Sequence, residues 1–166
     1  MLRGIDLVNF TSLDIKEKDM IILWRNNPKI KKWMFTSDDI STNNHLDFIQ
    51  NLNNQKNKLY FLVKEHNNYI GIISFINTMS DIIKVGIYSN PSLKGVGAIL
   101  MQTIVEYAFK TLKAKKLIAE VFSQNIKAFN LYKRYDFLEV DRKKFNDKEL
   151  ICMELKKNIY SKRKFI

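Results

Sequence analysis

Residues 92–101 read SLKGVGAILM, with two glycines one residue apart, beside Lys94, at the head of a run that turns apolar with helical spacing. The first turn of a helix carries unpaired N–H groups and the positive end of the helix dipole, and glycine lets an anion approach them, so this stretch suits a phosphate. By itself it is also what a plain loop after Pro91 looks like. Glu120 alternates with Ile118 and Phe122 along an otherwise apolar strand. A carboxylate there is either a general base whose pKa burial raises, or one half of a structural ion pair. Asn125, Ala128 and Tyr132 stand at i, i+3 and i+7, within about 60° of one helix face. A tyrosine with a pKa of about 10 is protonated at neutral pH and can give its proton to a departing anion, or it can simply pack. Arg25 follows an apolar helix face, where its planar fork would grip a diphosphate or close a buried salt bridge.

The elements that must position these groups follow from periodicity. Residues 17–27 and 41–54 read as helices, the second opened by a Ser/Thr cap. Residues 59–65 and 69–77 read as strands around an HNN turn, with a third consecutive strand over 82–89. From Val96 to Leu112 the apolar residues recur at helical spacing, and 115–122 is a buried strand. That strand–helix–strand unit implies parallel pairing with a right-handed crossover. A helix from Asn125 to Arg134 and a closing antiparallel pair, 136–145 with 148–155, complete an α/β architecture on a mixed sheet.

The chain has 166 residues, enough for one domain with a real core, and nothing in it resembles a linker. Residues 1–156 are read as that domain and 157–166 as a short, basic, solvated tail. With 28 basic residues against 17 acidic, the formal net charge of +11 points to an anionic partner. The aromatics sit in apolar stretches and do not alternate with Lys and Arg, which argues against a nucleic-acid surface. One cysteine, Cys152, and two histidines, His45 and His66, leave no internal disulfide and no metal cluster. No stretch has the eighteen or so apolar residues that a membrane helix needs. A cytoplasmic protein with no membrane partner is expected.

The order strand, proline bend, GxG, helix, strand, then NIKAFNLYKRYDF resembles the GNAT superfamily of acetyl-CoA-dependent N-acetyltransferases over nearly the whole chain. The family motif Gln/Arg-x-x-Gly-x-Gly/Ala stands here as SLKGVG, with Ser92 in place of the usual first residue. The second signature, Asn-x-x-Ala-x-x-x-Tyr with an aromatic end, stands as Asn125, Ala128, Tyr132 and Phe137. The stretches WRNNP (24–28), KKWMF (31–35) and NHLDFI (44–49) are similar to the branch that acetylates UDP-linked amino-dideoxy sugars in pseudaminic acid biosynthesis, the pathway behind flagellin glycosylation.

The resemblance implies the GNAT fold, acetyl-CoA as donor, and direct transfer to the 4-amino group of a UDP-amino sugar in a ternary complex. It implies that Lys94, Gly95, Val96, Gly97 and Ala98 hold the pyrophosphate. Ile87 and Ser89 would pair with the pantetheine arm, the Tyr88 amide would polarise the thioester carbonyl, and Asn125 and Ala128 would border the arm. Tyr132 is then the general acid and Glu120 the general base. On the acceptor side it implies Arg25 as diphosphate clamp, Met34, Phe35 and Phe48 as an apolar wall, His45 as a partner for phosphate or ribose, and Ser74 at the sugar. A homodimer is left open. Two alternatives remain: acetylation of protein α-amines, as by ribosomal-protein N-terminal acetyltransferases, and a non-catalytic basic nucleic-acid-binding module.

Overall fold

The computed structural model describes residues 3–163. Seven strands form one sheet in the order β1-β2-β3-β4-β5-β7-β6. They are β1 (Ile5–Asn9), β2 (Lys58–Glu65), β3 (Asn68–Ile76), β4 (Ile82–Ser89), β5 (Lys116–Phe122), β6 (Leu138–Phe145) and β7 (Lys148–Lys156). Every neighbouring pair is antiparallel except β4 with β5. The expected mixed sheet is therefore present, with one strand more than the sequence reading supplied, since β1 joins as an edge strand beside β2.

Local chemistry explains where the elements begin and turn. Helix α1 (Ile15–Asn26) starts two residues before the periodicity suggests, because Asp14 and Glu17 form a capping box: Glu17 N–H donates to Asp14 Oδ1 at 2.8 Å and Asp14 N–H to Glu17 Oε2 at 3.1 Å. Glu17 is itself buried and accepts the Tyr69 hydroxyl at 2.9 Å, with Lys64 3.4 Å away, which fastens α1 to the sheet. A single turn, α2 (Pro28–Lys31), follows. Helix α3 (Thr42–Leu52) is capped by Ser41, as read from the sequence. The HNN turn closes the β2–β3 hairpin with His66 and Asn67 both at positive φ, the two-residue geometry whose twist suits paired strands.

Helix α4 (Gly97–Glu106) crosses from β4 to β5 and runs into a π-helical turn over Tyr107–Thr111. With α5 (Ile126–Arg134) it covers one face of the sheet, burying Leu100, Met101, Ile104 and Tyr132 against Ile73, Val85 and Val121. Helices α1 and α3 cover the other face over β2–β4, around Trp24, Ile49, Leu62 and Ile72. The C-terminal segment is exposed over most of residues 157–162, as a solvated tail is expected to be, but it is ordered as a helix. Lys157–Arg163 forms α6, and the Tyr160 ring stacks on Phe109 at 5.1 Å, because one aromatic in the basic run finds an apolar partner. Residues 164–166 lie outside the described residues.

Candidate active site

The parallel pairing of β4 with β5 is short. It joins Ile82 to Lys116, Ile83 to Leu117 and Lys84 to Ile118, and then stops. Beyond that point β4 stays with β3 as far as Ser89 opposite Gly71, while β5 stays with β7 as far as Phe122 opposite Leu150. The two central strands thus part into an open gap, and main-chain groups of β4 that face β5 have no strand to pair with.

The register decides which groups those are. Asn90 N–H donates to the Ile70 carbonyl at 2.9 Å, and the β3–β4 register runs on without a bulge. In an antiparallel ladder such exchanging pairs recur every second residue, so Tyr88 pairs with Ile72 and Gly86 with Ser74. The amides of Ile87 and Ser89 therefore face the gap, and that of Tyr88 does not. The expectation that the Tyr88 amide polarises a carbonyl is corrected here: it is spent on β3. The Tyr88 side chain packs on the α1–α3 face beside Tyr60, where burial pushes its hydroxyl above the ordinary tyrosine range and nearby Arg25 opposes that.

A loop carries the chain from the gap into α4. Asn90 sets it, donating through Nδ2 to the Tyr69 carbonyl and accepting Ser92 N–H at Oδ1, both at 3.0 Å. Sequence reasoning missed Asn90, which nothing in its neighbours distinguishes from an ordinary turn residue. Lys94, Gly95 and Ala98 are exposed, Val96 and Gly97 half-buried. Val96 is the N-cap and supplies no side-chain acceptor to the first-turn amides. The two glycines have different reasons. Gly95 sits at φ +82° with open space where a Cβ would be, so the backbone is both left-handed and approachable. A Cβ on Gly97 would lie 3.1 Å from Leu131, so this glycine lets α5 close on α4.

Tyr132 is 4% exposed, edge-on to Phe137 at 5.0 Å, in the same core cluster as Val85 and Val121 on the two strands that part. Burial raises its pKa, so it holds its proton at neutral pH. Asn125 caps α5, accepting Ala128 N–H at 3.2 Å, which commits Oδ1 and leaves the amide nitrogen as its donor. Ala128 is half-buried beside them.

Glu120 is the second correction. Its Oε1 accepts Lys143 Nζ at 2.6 Å and its Oε2 accepts Lys84 Nζ. Burial pushes the carboxyl up, but the hydrogen bonds and charges of Lys143 and Lys84 outweigh that and leave it below its ordinary value. A base tuned upward by burial is not what the fold builds here. The ion pair is the observed state.

The acceptor-side expectations divide. Phe35, 47% exposed, lies edge-on to Phe122 at 5.9 Å and Phe145 at 5.0 Å, with Lys84 Nζ 5.3 Å from its ring centroid and Lys148 Nζ 5.1 Å from that of Phe122. Met34 is half-buried on the same loop. Ser74 Oγ sits where a Cβ on Gly86 would be, 2.6 Å from it, beside the gap. Arg25 donates through Nη2 to the Thr36 carbonyl at 2.6 Å, while Nη1 is buried without a partner; burial lowers its pKa against the opposing charges of Tyr88 and Asp39. Phe35 and Glu120 therefore meet through Lys84 at the gap, with Ser74 over Gly86 and Arg25 near Tyr88 on the same face of the sheet. His45 does not join them. It is buried with Nε2 on the Lys18 carbonyl at 3.0 Å, its pKa lowered chiefly by burial, and it ties α3 to α1 about two turns from Arg25. Phe48 packs edge-on to Tyr60 at 5.1 Å, on β2, two strands from the gap. Phe122 and Phe145 were missed as wall residues, because their meeting depends on the β5–β7–β6 register. A groove of ≈ 500 Å³ between α1 and Pro91–Ser92 is lined by none of the predicted site residues.

Comparison with known proteins bears on this arrangement. The model of the acetyltransferase (GNAT) domain matches residues 7–138. The acetyltransferase PseH of Campylobacter jejuni subsp. jejuni serotype O:23/36 (strain 81-176) is 41% identical over 150 residues, 90% of this chain and 94% of that protein. The crystal structure of Campylobacter jejuni N-acetyltransferase PseH in complex with acetyl coenzyme A superposes with a TM-score of 0.76 at 37% identity, covering 92% of this chain and 99% of that one. A spermidine N-acetyltransferase from Vibrio cholerae, in complex with CoA and spermine, superposes with a TM-score of 0.85 at 20% identity, covering 96% and 99%, a likeness of fold alone.

Proposed function

We propose, from the premise that this chain belongs to the GNAT acetyltransferase family, that it moves an acetyl group from acetyl-CoA to the 4-amino group of a UDP-linked amino-dideoxy sugar in pseudaminic acid biosynthesis. The observation that carries the donor half is the gap: Ile87 and Ser89 offer unpaired amides to an extended arm, and the Gly95–Gly97 turn offers first-turn amides to a pyrophosphate. Lys94 adds charge, and Asn125 and Ala128 border the arm. The acceptor half rests on the 41% identity to PseH together with a basic, aromatic-lined mouth that suits a sugar nucleotide better than a polyamine.

In the reaction the acceptor amine attacks the thioester carbon, the C–N bond forms and the C–S bond breaks. The carbonyl oxygen gathers charge and accepts from the gap-facing amides. Tyr132 gives its proton to the leaving sulfur, and the proton lost by nitrogen passes to water. Arg25 is assigned to the diphosphate, Phe35 and Met34 to the apolar wall, and Ser74 to the sugar. The compartment assigned is the cytoplasm; among the described residues no helix is long and apolar enough to cross a membrane.

Thermal melts test this reading. Acetyl-CoA should raise the melting temperature and UDP should raise it further. A shift with acetyl-CoA and none with UDP would move the acceptor to a peptide amine. A shift with an oligonucleotide alone would remove the enzyme reading. Released thiol in the presence of a panel of UDP-amino sugars then names the acceptor.

A further inference from the structure

Glu120 is the first residue of its row beyond the last paired position of the two parting strands, since Lys84 opposite Ile118 ends the ladder. Its carboxylate therefore stands at the root of the gap, on the face where Arg25 and Phe35 lie. Lys84 reaches it from β4 and Lys143 from β6, one on each oxygen. Cys152 of β7 and Asp141 of β6 also face this point, and the charges of Lys143, Glu120, Asp141 and Lys84 all act on the thiol, while the next pair along the face, Lys116 with Glu154 at 2.9 Å, is neutral. Lys148 of β7 lies over Phe122, and Arg25 of α1 lies on the opposite wall beside Tyr88. Asp39, which faces Arg25, is paired to Lys31 at 2.7 Å. Lys84, Lys143, Lys148 and Arg25 against Glu120 and Asp141 leave the mouth positive.

We propose that Lys84 and Lys143 are positioning residues of the acceptor site: by occupying both oxygens of Glu120 where β4 and β5 part, they leave that point net positive, so that an acceptor nitrogen is held there as free amine and not as ammonium. The inference rests on the amine-acceptor reading above. An ammonium entering this mouth meets an excess of like charge and gains no ion pair from Glu120, whose oxygens are taken. Like charge favours the neutral form of an amine, which releases its proton to bulk water and keeps the lone pair that attacks carbon. The rest of a sugar nucleotide is anionic and is drawn in by the same field.

The test is the pH dependence of kcat, which reports groups in the ternary complex. Lys143 is suited to it, because it lies on an edge strand with about half of its side chain exposed. Lys143→Gln should move the acid limb of kcat upward by about half a pH unit, the size of one nearby charge in a partly solvated site, while Lys143→Arg leaves it in place. Glu120→Gln should move the limb downward, since it makes the mouth more positive. Cys152, the only cysteine, is a second readout that needs no catalysis: its alkylation profile should move upward in Lys143→Gln. A moved Cys152 profile with an unmoved kcat limb overturns the inference, as does loss of turnover at every pH in Glu120→Gln, which would make Glu120 the base. No turnover of any UDP-amino sugar by the unaltered chain overturns the acceptor reading, and this inference with it.

Discussion

Along β4 the gap is lined by main chain, the amides of Ile87 and Ser89, whereas along β5 it is lined by side chains, the carboxylate of Glu120 and the ring of Phe122. The first wall continues into another main-chain device, the left-handed turn at Gly95 and the first-turn amides of α4. The second continues into the lysines and phenylalanines of β6 and β7. A donor that is common to a whole family can be held by backbone, whose hydrogen bonds do not depend on residue identity. An acceptor that distinguishes one enzyme from another has to be read by side chains. The two walls should therefore fail differently.

The largest effect separates chemistry from binding. Tyr132→Phe should lower kcat by about 10²- to 10⁴-fold, the usual worth of a positioned general acid, with acetyl-CoA affinity by calorimetry little changed. An unaltered kcat would leave Tyr132 a packed aromatic. Next, Gly95→Val attacks the backbone wall. The left-handed φ costs a β-branched residue about 1–2 kcal/mol, and the new side chain fills the space open to an anion, so acetyl-CoA should bind at least about tenfold more weakly while the acceptor KM holds. Arg25→Ala attacks the acceptor side from across the gap, beside Tyr88, and should raise the acceptor KM by about tenfold, one lost charge-assisted contact, without moving acetyl-CoA affinity. If both constants rise together in either variant, the two walls are not separable.

The smallest effect is on stability. The Glu120 carboxyl lies below its ordinary value in the folded chain, so its contribution is present above the unfolded pKa of about 4.3 and is lost as pH falls through the lower folded value. Melting temperatures recorded from pH 6 down to pH 3 should drop less steeply in Lys143→Gln than in the unaltered chain. Equal slopes would show that the pair adds nothing to folding.

The backbone wall was the more legible in the sequence, because its determinants are local. Gly95 and Gly97 are one residue apart, and Asn125, Ala128 and Tyr132 share one helix face, so local spacing singles them out and the family resemblance supplies their expected roles. The orientation of the Tyr88 amide is not local, since it follows from pairing with β3 across a hairpin, and a shift of one residue would reverse it. Glu120 was found but its state was not, since its partners come from 36 residues earlier and 23 residues later in the chain. The resemblance puts His45 at the acceptor, and only the packing of α3 on α1 shows it bonded to Lys18. The capping box that starts α1 is written locally in Asp14 and Glu17, three residues apart, ahead of the apolar periodicity.

The central claim is that main-chain amides of the parting strand and of the α4 turn take the donor. Amide chemical shifts recorded by NMR as acetyl-CoA is added test it directly. The account predicts large shifts at Ile87, Ser89 and residues 95–98, with Tyr88 much less affected because its N–H is held by Ile72. Shifts centred on Tyr88, or on the groove beside α1, with residues 95–98 unmoved, would contradict it.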